Sequence, residues 1–78
     1  MSMQIARSLD LKGLSCPLPI VKTAQAIKEL QPGELIEALA TDPGSVPDFA
    51  AWSKATGNEL VEQTETEGVY RFVIRKKG

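Results

Sequence analysis

Glycine and proline punctuate this chain at Gly13, Pro32-Gly33, Pro43-Gly44, Gly57 and Gly68, and each interval between them is long enough for only one strand or one short helix. Residues 5–11 alternate loosely, with Ile5, Leu9 and Leu11 set against Ala6, Ser8 and Asp10, and read as a strand. Residues 17–30 place Ile20, Val21, Ala24, Ile27 and Leu30 at three- and four-residue intervals, the spacing of an amphipathic helix that Gln31-Pro32-Gly33 ends. Residues 35–41 read as a second strand, with Ile36, Ala38 and Ala40 on one face and Leu35, Glu37 and Leu39 on the other; the pattern alone does not say which face is covered. After the Asp42-Pro43-Gly44 turn, Ser45 is the expected cap of a second helix. Pro47 and Asp48 suit its first turn, Val46, Phe49 and Trp52 share a face, and Gly57 stops it. Residues 60–66 and 69–75 form two strands about the tight Glu67-Gly68 turn, with Tyr70, Phe72 and Ile74 on one face. Two helices over one face of a four-stranded sheet make a two-layer α/β sandwich, whose other face meets solvent or a partner.

Length and charge narrow the function. Compact domains run from roughly 50 to 250 residues, so the 78 residues are read as one domain, 1–78. Folding at this size buries only about 60–65% of the open chain's surface, which argues against a large enclosed cavity. The 42% hydrophobic and 24% charged fractions are those of an ordinary globular chain. A net charge of −1 supplies no global field toward nucleic acid or an anionic membrane, so neither is an expected partner. No run approaches the roughly 20 apolar residues of a membrane span, and Met1-Ser2-Met3-Gln4-Ile5-Ala6-Arg7 lacks the apolar stretch of a secretory signal, so the cytoplasm is the expected location. A monomer is expected.

One cysteine and no histidine exclude an internal disulfide, a Cys/His zinc site, a Ser-His-Asp or Cys-His pair and imidazole acid–base chemistry. The glycines form no phosphate-binding run, and no cofactor or metal of its own is expected. Chemistry therefore centres on Cys16 or on carboxylates. The segment Leu9-Asp10-Leu11-Lys12-Gly13-Leu14-Ser15-Cys16-Pro17-Leu18-Pro19 sets the thiol just before a helix. Unpaired N–H groups and the helix dipole favour a thiolate there, so the Cys16 pKa is expected to fall, with Lys12 as a second aid and Leu14 and Leu18 opposing. Pro17 and Pro19 stiffen the helix start and leave the N–H groups of Leu18 and Ile20 to face the sulfur. A lone cysteine is often a small buried hydrophobe. On the residues alone, that reading and the exposed, rigidly presented thiol stand about even.

The chain resembles the TusA-like, or SirA-like, sulfur carriers over nearly its whole length. The resemblance rests on Leu9-Asp10-Leu11-Lys12-Gly13-Leu14 leading into Cys16-Pro17-Leu18-Pro19, then Pro32-Gly33-Glu34, Ala40-Thr41-Asp42-Pro43-Gly44, Asp48-Phe49, Thr56-Gly57-Asn58-Glu59-Leu60 and Phe72-Val73-Ile74-Arg75-Lys76. It implies an α+β fold, a β-α-β-α-β-β two-layer sandwich with a mixed four-stranded sheet. It also implies a sulfurtransferase-type carrier whose cysteine holds sulfane sulfur as a persulfide. By position Cys16 bears the sulfur, and Asp10, Gly13, Leu14, Pro17 and Pro19 shape its loop. The implied donors are a PLP-dependent cysteine desulfurase or a rhodanese; the implied acceptor is a cysteine of a DsrE-like or other protein. Sulfur oxidation, tRNA 2-thiouridine formation and molybdenum cofactor synthesis are the implied routes. The chain departs from the common pattern at Asn58, where many members have histidine, and at Ser53, where some have a second cysteine. The first departure resembles members of sulfur-oxidation clusters, and the second excludes an internal thiol relay. A non-catalytic binding or regulatory module of the same fold is the alternative, and a redox-sensing thiol a third reading.

The remaining features read more plainly. Arg71, Arg75, Lys76 and Lys77 form a basic C-terminal stretch, taken as solvated surface with an acidic docking partner as the lesser reading. Glu59, Glu62, Glu65 and Glu67 read as a solvated strand face, and Phe49 and Trp52 as core.

Overall fold

The computed structural model describes residues 4–78, so the reading of Met1, Ser2 and Met3 lies outside the described residues. The element order is β1 (Ile5–Asp10), α1 (Leu18–Ile27), β2 (Leu35–Ala40), α2 (Ser45–Thr56), β3 (Glu59–Thr66) and β4 (Val69–Arg75). The strands lie in the order β1-β2-β4-β3; β1 and β2 are parallel, joined by the α1 crossover, and the other neighbours are antiparallel. This is the mixed sheet and two-helix α+β sandwich expected. No helix among the described residues is long and apolar enough to cross a membrane.

The helix ends differ from the sequence reading, each for a local reason. Pro17 caps α1 from outside rather than opening it. At the other end residues 28–30 leave the helix through the bonds Glu29 N–H to Ala26 O and Leu30 N–H to Ile27 O, which tighten the last turn. Leu30 is still buried, so the apolar spacing runs past the end of the helix. The Lys76 ammonium reaches from the chain end to the carbonyls of Lys28 and Leu30, where a cation meets the negative end of α1. Gly44, not Ser45, occupies the cap position of α2; Ser45 is the first helical residue, is buried, and makes no side-chain capping bond. Gly57 ends α2 as expected, at φ 82° with its N–H on the Ser53 carbonyl.

The alternation of β2 resolves with Ile36, Ala38 and Ala40 toward the helices, packed with Phe72 and Ile74 of β4 against Ala26, Ile27, Leu30 and Phe49. Alanines at 38 and 40 leave room for aromatic rings. Phe49 stacks on Phe72 with centroids 4.1 Å apart and planes 15° from parallel, and Trp52 meets Phe49 edge-on at 6.2 Å. Trp52 is only half-buried, because its outer side lines a groove of about 340 Å³ with Ala24, Ile27, Lys28, Thr56, Asn58 and Lys76.

The other face of the sheet neutralises itself. Arg71 bridges Glu37 and Glu62, Ser8 donates to Glu37 at 3.0 Å, and Arg75 pairs with Glu59 at 2.7 Å. Val73 sits in register between Glu37 and Glu62 and is fully buried beside their bridge. Arg75 and Glu59 are exposed, as read from the sequence, and pair across the strands; the reading of Arg71 and Glu62 as solvated charges is corrected, because cross-strand neighbours on β2 and β3 bring Glu37 and Glu62 to the part-buried Arg71 guanidinium.

Two stability measurements check this packing. Phe49→Ala removes both aromatic contacts and is expected to cost about 3–5 kcal/mol, a large share of a small domain's total and readable as a lower midpoint in urea. The Arg71 hydrogen bond holds the Glu37 carboxyl below its usual range against the opposing effect of burial. Its stabilisation is therefore present above the ordinary glutamate pKa near ~4.3 and is lost as pH falls through the lower folded-state value. Glu37→Gln is expected to cost about 1 kcal/mol at neutral pH and nothing once the wild-type carboxyl is protonated; equal cost across that range would exclude the pairing as its source.

Candidate functional site

Because β1 and β2 run in the same direction, the segments that follow them leave the sheet at the same end. A series of hydrogen bonds then fastens one segment to the other. Leu11 N–H donates to the Leu39 carbonyl at 2.8 Å, Gly13 N–H to Thr41 Oγ1 at 2.9 Å, and Cys16 N–H to Asp42 Oδ2 at 2.6 Å. The second oxygen of Asp42 accepts Gly44 N–H at 3.1 Å. One carboxylate thus fixes the backbone on both sides of the site.

The residues singled out around Cys16 have separate tasks in this loop. Asp10 Oδ1 accepts Lys12 N–H at 3.2 Å, which turns the chain out of β1. Gly13 stands at φ 86°, a left-handed conformation that side chains disfavour. Leu14 is half-buried against the core and anchors the loop from below. Pro17 precedes α1 through a cis Cys16–Pro17 bond, and Pro19 is buried at the second helical position with its carbonyl accepting Thr23 Oγ1 at 2.8 Å. Cys16 itself is exposed. Beside it Leu18 and Val21, one turn apart on α1, are 45% and 41% exposed, the large hydrophobics left uncovered among the described residues.

The electrostatic setting of the thiol is the reverse of the expected one. Cys16 Sγ donates to Asp48 Oδ2 in the first turn of α2. That bond raises the thiol pKa first and most, followed by desolvation and by the charges of Asp48 and Asp42. A hydrogen bond donated by the neutral thiol favours the neutral form, and adjacent carboxylates disfavour an anion. The expected help from α1 is missing for a geometric reason: Cys16 lies one residue before the cap, and Leu18 N–H is taken by the Ser15 carbonyl at 2.9 Å instead of facing sulfur. Lys12 does not figure among the groups that set this pKa. Asp42, by contrast, is held below the usual carboxylate range by the N–H groups of Cys16 and Gly44.

Sequence reasoning assigned Asp48 only to a helix start and read the Asp42-Pro43-Gly44 turn as structural, with a place near the thiol-bearing end only as what the family fold implies. The signal that would have joined them to Cys16 is topological, since both are within a few residues of the strand that pairs in parallel with β1. Asn58 and Ser53 are not part of this end. Asn58 follows the far end of α2, where its amide bonds Thr56 Oγ1 and Lys77 N–H, and Ser53 Oγ donates to the Ala50 carbonyl. Gly44 also packs against the thiol-bearing residue: a Cβ there would stand 3.5 Å from Cys16 Cβ, ordinary contact distance.

Comparison with known proteins gives a consistent answer. The profile of the family described as sulfurtransferase TusA matches residues 7–76. The sulfur carrier protein TusA of Allochromatium vinosum is 46% identical over 70 residues, 90% of this chain and 92% of that protein. The protein of the same name from Pseudomonas aeruginosa is 39% identical over 77 residues, covering 99% and 98% of the two chains. Among solved structures, the SirA-like protein of Desulfitobacterium hafniense superposes with a TM-score of 0.81 over 92% of this chain and 99% of that one; at 23% identity this is a likeness of fold.

The thiol's surroundings give a direct expectation. Native Cys16 is expected to react with iodoacetamide without denaturant, at a rate that rises with pH to a midpoint above the ~8.5 of a free cysteine. A midpoint below that value, read by intact mass across a pH series, would contradict the carboxylate setting.

Proposed function

Because the chain belongs to the sulfurtransferase TusA family, we propose that it is a sulfur carrier in which Cys16 accepts sulfane sulfur from a donor protein, holds it as a persulfide and passes it to an acceptor cysteine. The observation that carries this reading is the placement of the sequence's one thiol: exposed, on a loop fastened at both sides, with uncovered Leu18 and Val21 beside it. A fixed, accessible sulfur with apolar surface next to it suits brief docking against one protein after another.

Thiol exchange supplies the chemistry. Cys16 attacks the outer sulfur of a donor persulfide, the donor thiolate departs, and the outer sulfur remains on Cys16. An acceptor thiolate then takes that sulfur and releases the Cys16 thiolate. With no second cysteine in the sequence, the cargo cannot be expelled by internal disulfide formation. Residues 1–78 act as one carrier domain, with Asp10, Gly13, Leu14, Pro17 and Pro19 shaping the loop. The donor is a cysteine desulfurase or a rhodanese and the acceptor a DsrE-like protein or another cytoplasmic partner. Asn58, in the place of a common family histidine, favours the sulfur-oxidation route over tRNA thiolation or molybdenum cofactor synthesis.

Intact mass spectrometry tests the reading. Incubation with a cysteine desulfurase plus cysteine, or with a rhodanese plus thiosulfate, is expected to add one sulfur that reductant removes and that Cys16→Ser never acquires. The more efficient donor indicates the route. No added sulfur from either donor would leave the binding-module reading in its place, and that reading further requires Cys16→Ser to retain full biological output.

A further inference from the structure

The bond between Cys16 and Asp48 has a property that differs between an empty and a loaded carrier. In the empty protein Sγ carries a hydrogen and donates it to Asp48 Oδ2. Once Sγ is bonded to a second sulfur it has no hydrogen to donate, so this bond cannot survive loading. Nor is there space for the cargo on that side, since a hydrogen-bonded pair leaves no room for a sulfur atom between its members. The outer sulfur stands about 2.0 Å beyond Sγ and must point elsewhere.

The neighbours decide where it goes. Asp42 and Asp48 present carboxylates from the β2–α2 segment and from α2, and the outer S–H of a persulfide is more acidic than a thiol, so the loaded group is repelled as an anion from both. Gly44, the remaining neighbour on that segment, has no side chain to hold it. The open direction is outward, past exposed Pro17 and Leu18. Of the charged residues on the elements around the sulfur, Asp48 and Asp42 act on it; Lys12 and Asp10 on the β1–α1 segment and Lys22 on α1 do not figure among the groups that do.

We propose that Asp48 is the residue that positions Cys16 by loading state, holding the empty thiol protonated against the first turn of α2 and releasing it toward a partner when it carries sulfur. This rests on the carrier reading above. In the loading step the Cys16 S–H bond breaks and its proton goes to solvent water. An Sγ–S bond forms as the S–S bond of the donor persulfide breaks, and the electron pair leaves on the donor sulfur, which takes a proton from solvent. The overall exchange turns Cys16–SH and R–S–SH into Cys16–S–SH and R–SH, with no oxidant or reductant consumed.

The test compares wild type, Asp48→Asn and Asp48→Glu in both states. For the empty proteins, iodoacetamide alkylation is followed across pH by intact mass. Asp48→Asn is expected to move the midpoint to lower pH and react several-fold faster at neutral pH, and Asp48→Glu to return toward wild type. For the loaded proteins, prepared with inorganic polysulfide, the outer sulfur is removed with cyanide, and all three are expected to react at the same rate because the loaded group has left residue 48. An unshifted alkylation profile in Asp48→Asn overturns the proposal while leaving the carrier reading intact. So does a cyanide rate altered by the same factor as alkylation, because Asp48 would then hold both states alike. Failure of wild type to load from polysulfide and from both enzyme donors overturns the carrier reading, and with it release on loading, whatever the alkylation profile.

Discussion

Parallel pairing of β1 with β2 is the constraint on which the thiol-bearing end depends. A parallel pair requires a crossover, and α1 supplies it; the same pairing directs the segment after each strand to one edge of the sheet. Cys16 on the first segment and Asp42 and Asp48 after the second are thereby brought together across separations of 26 and 32 residues. Had β1 been antiparallel to β2, the two segments would leave from opposite ends and Cys16 would lack both carboxylates. The bonds from Leu11, Gly13 and Cys16 to Leu39, Thr41 and Asp42 then fix the distance that the strand pairing only makes possible.

Charge is handled differently on the two sides of the molecule. On the open sheet face, acids and bases alternate across strands and satisfy one another through Arg71 and Arg75. At the thiol end the acids have no such partners among the described residues and are satisfied by backbone N–H groups and by the thiol hydrogen. This asymmetry leaves the sheet face with little unpaired charge or apolar surface to offer. Leu18 and Val21, the large side chains left uncovered among the described residues, lie on the turn of α1 beside the sulfur. Apolar surface open to a partner and the reactive group therefore coincide.

Most of the fold was legible because glycine and proline mark the boundaries and local periodicity marks what lies between. The alternation of β4, the spacing of Phe49 and the stop at Gly57 are short-range signals, and each corresponds to an observed feature. What local pattern left open is relational. Whether Ile36 or Leu35 faces the helices depends on which strand face the helices cover, and the pairing of Arg71 with Glu37 depends on register between β2 and β4. The pKa of Cys16 was misread for the same reason. Proximity to a helix start was visible in sequence, but the hydrogen-bond accounting was not: Ser15 takes the Leu18 N–H, and a carboxylate 32 residues away takes the thiol hydrogen. Cys16, Gly13 and the two prolines stood out from their neighbours alone, whereas Asp48 looked like any acid in a first helical turn.

A lone thiol that carries sulfur faces two demands that a lowered pKa cannot meet together. A low pKa makes the loaded and the empty forms alike anionic, so the empty carrier is open to oxidation and to alkylation while it waits. If Cys16 is loaded as proposed, a raised thiol pKa protects the empty form and leaves the loaded one free to react, because the outer sulfur has its own acidity and does not share the hydrogen bond that restrains Sγ. A carboxylate next to the cysteine, unfavourable for an ordinary nucleophile, thus suits a nucleophile whose reactive atom changes between one encounter and the next. A histidine in that place could stabilise the thiolate and the persulfide anion equally and would erase the difference. On that proposal, acidic residues at the thiol and a sequence without histidine serve the same end.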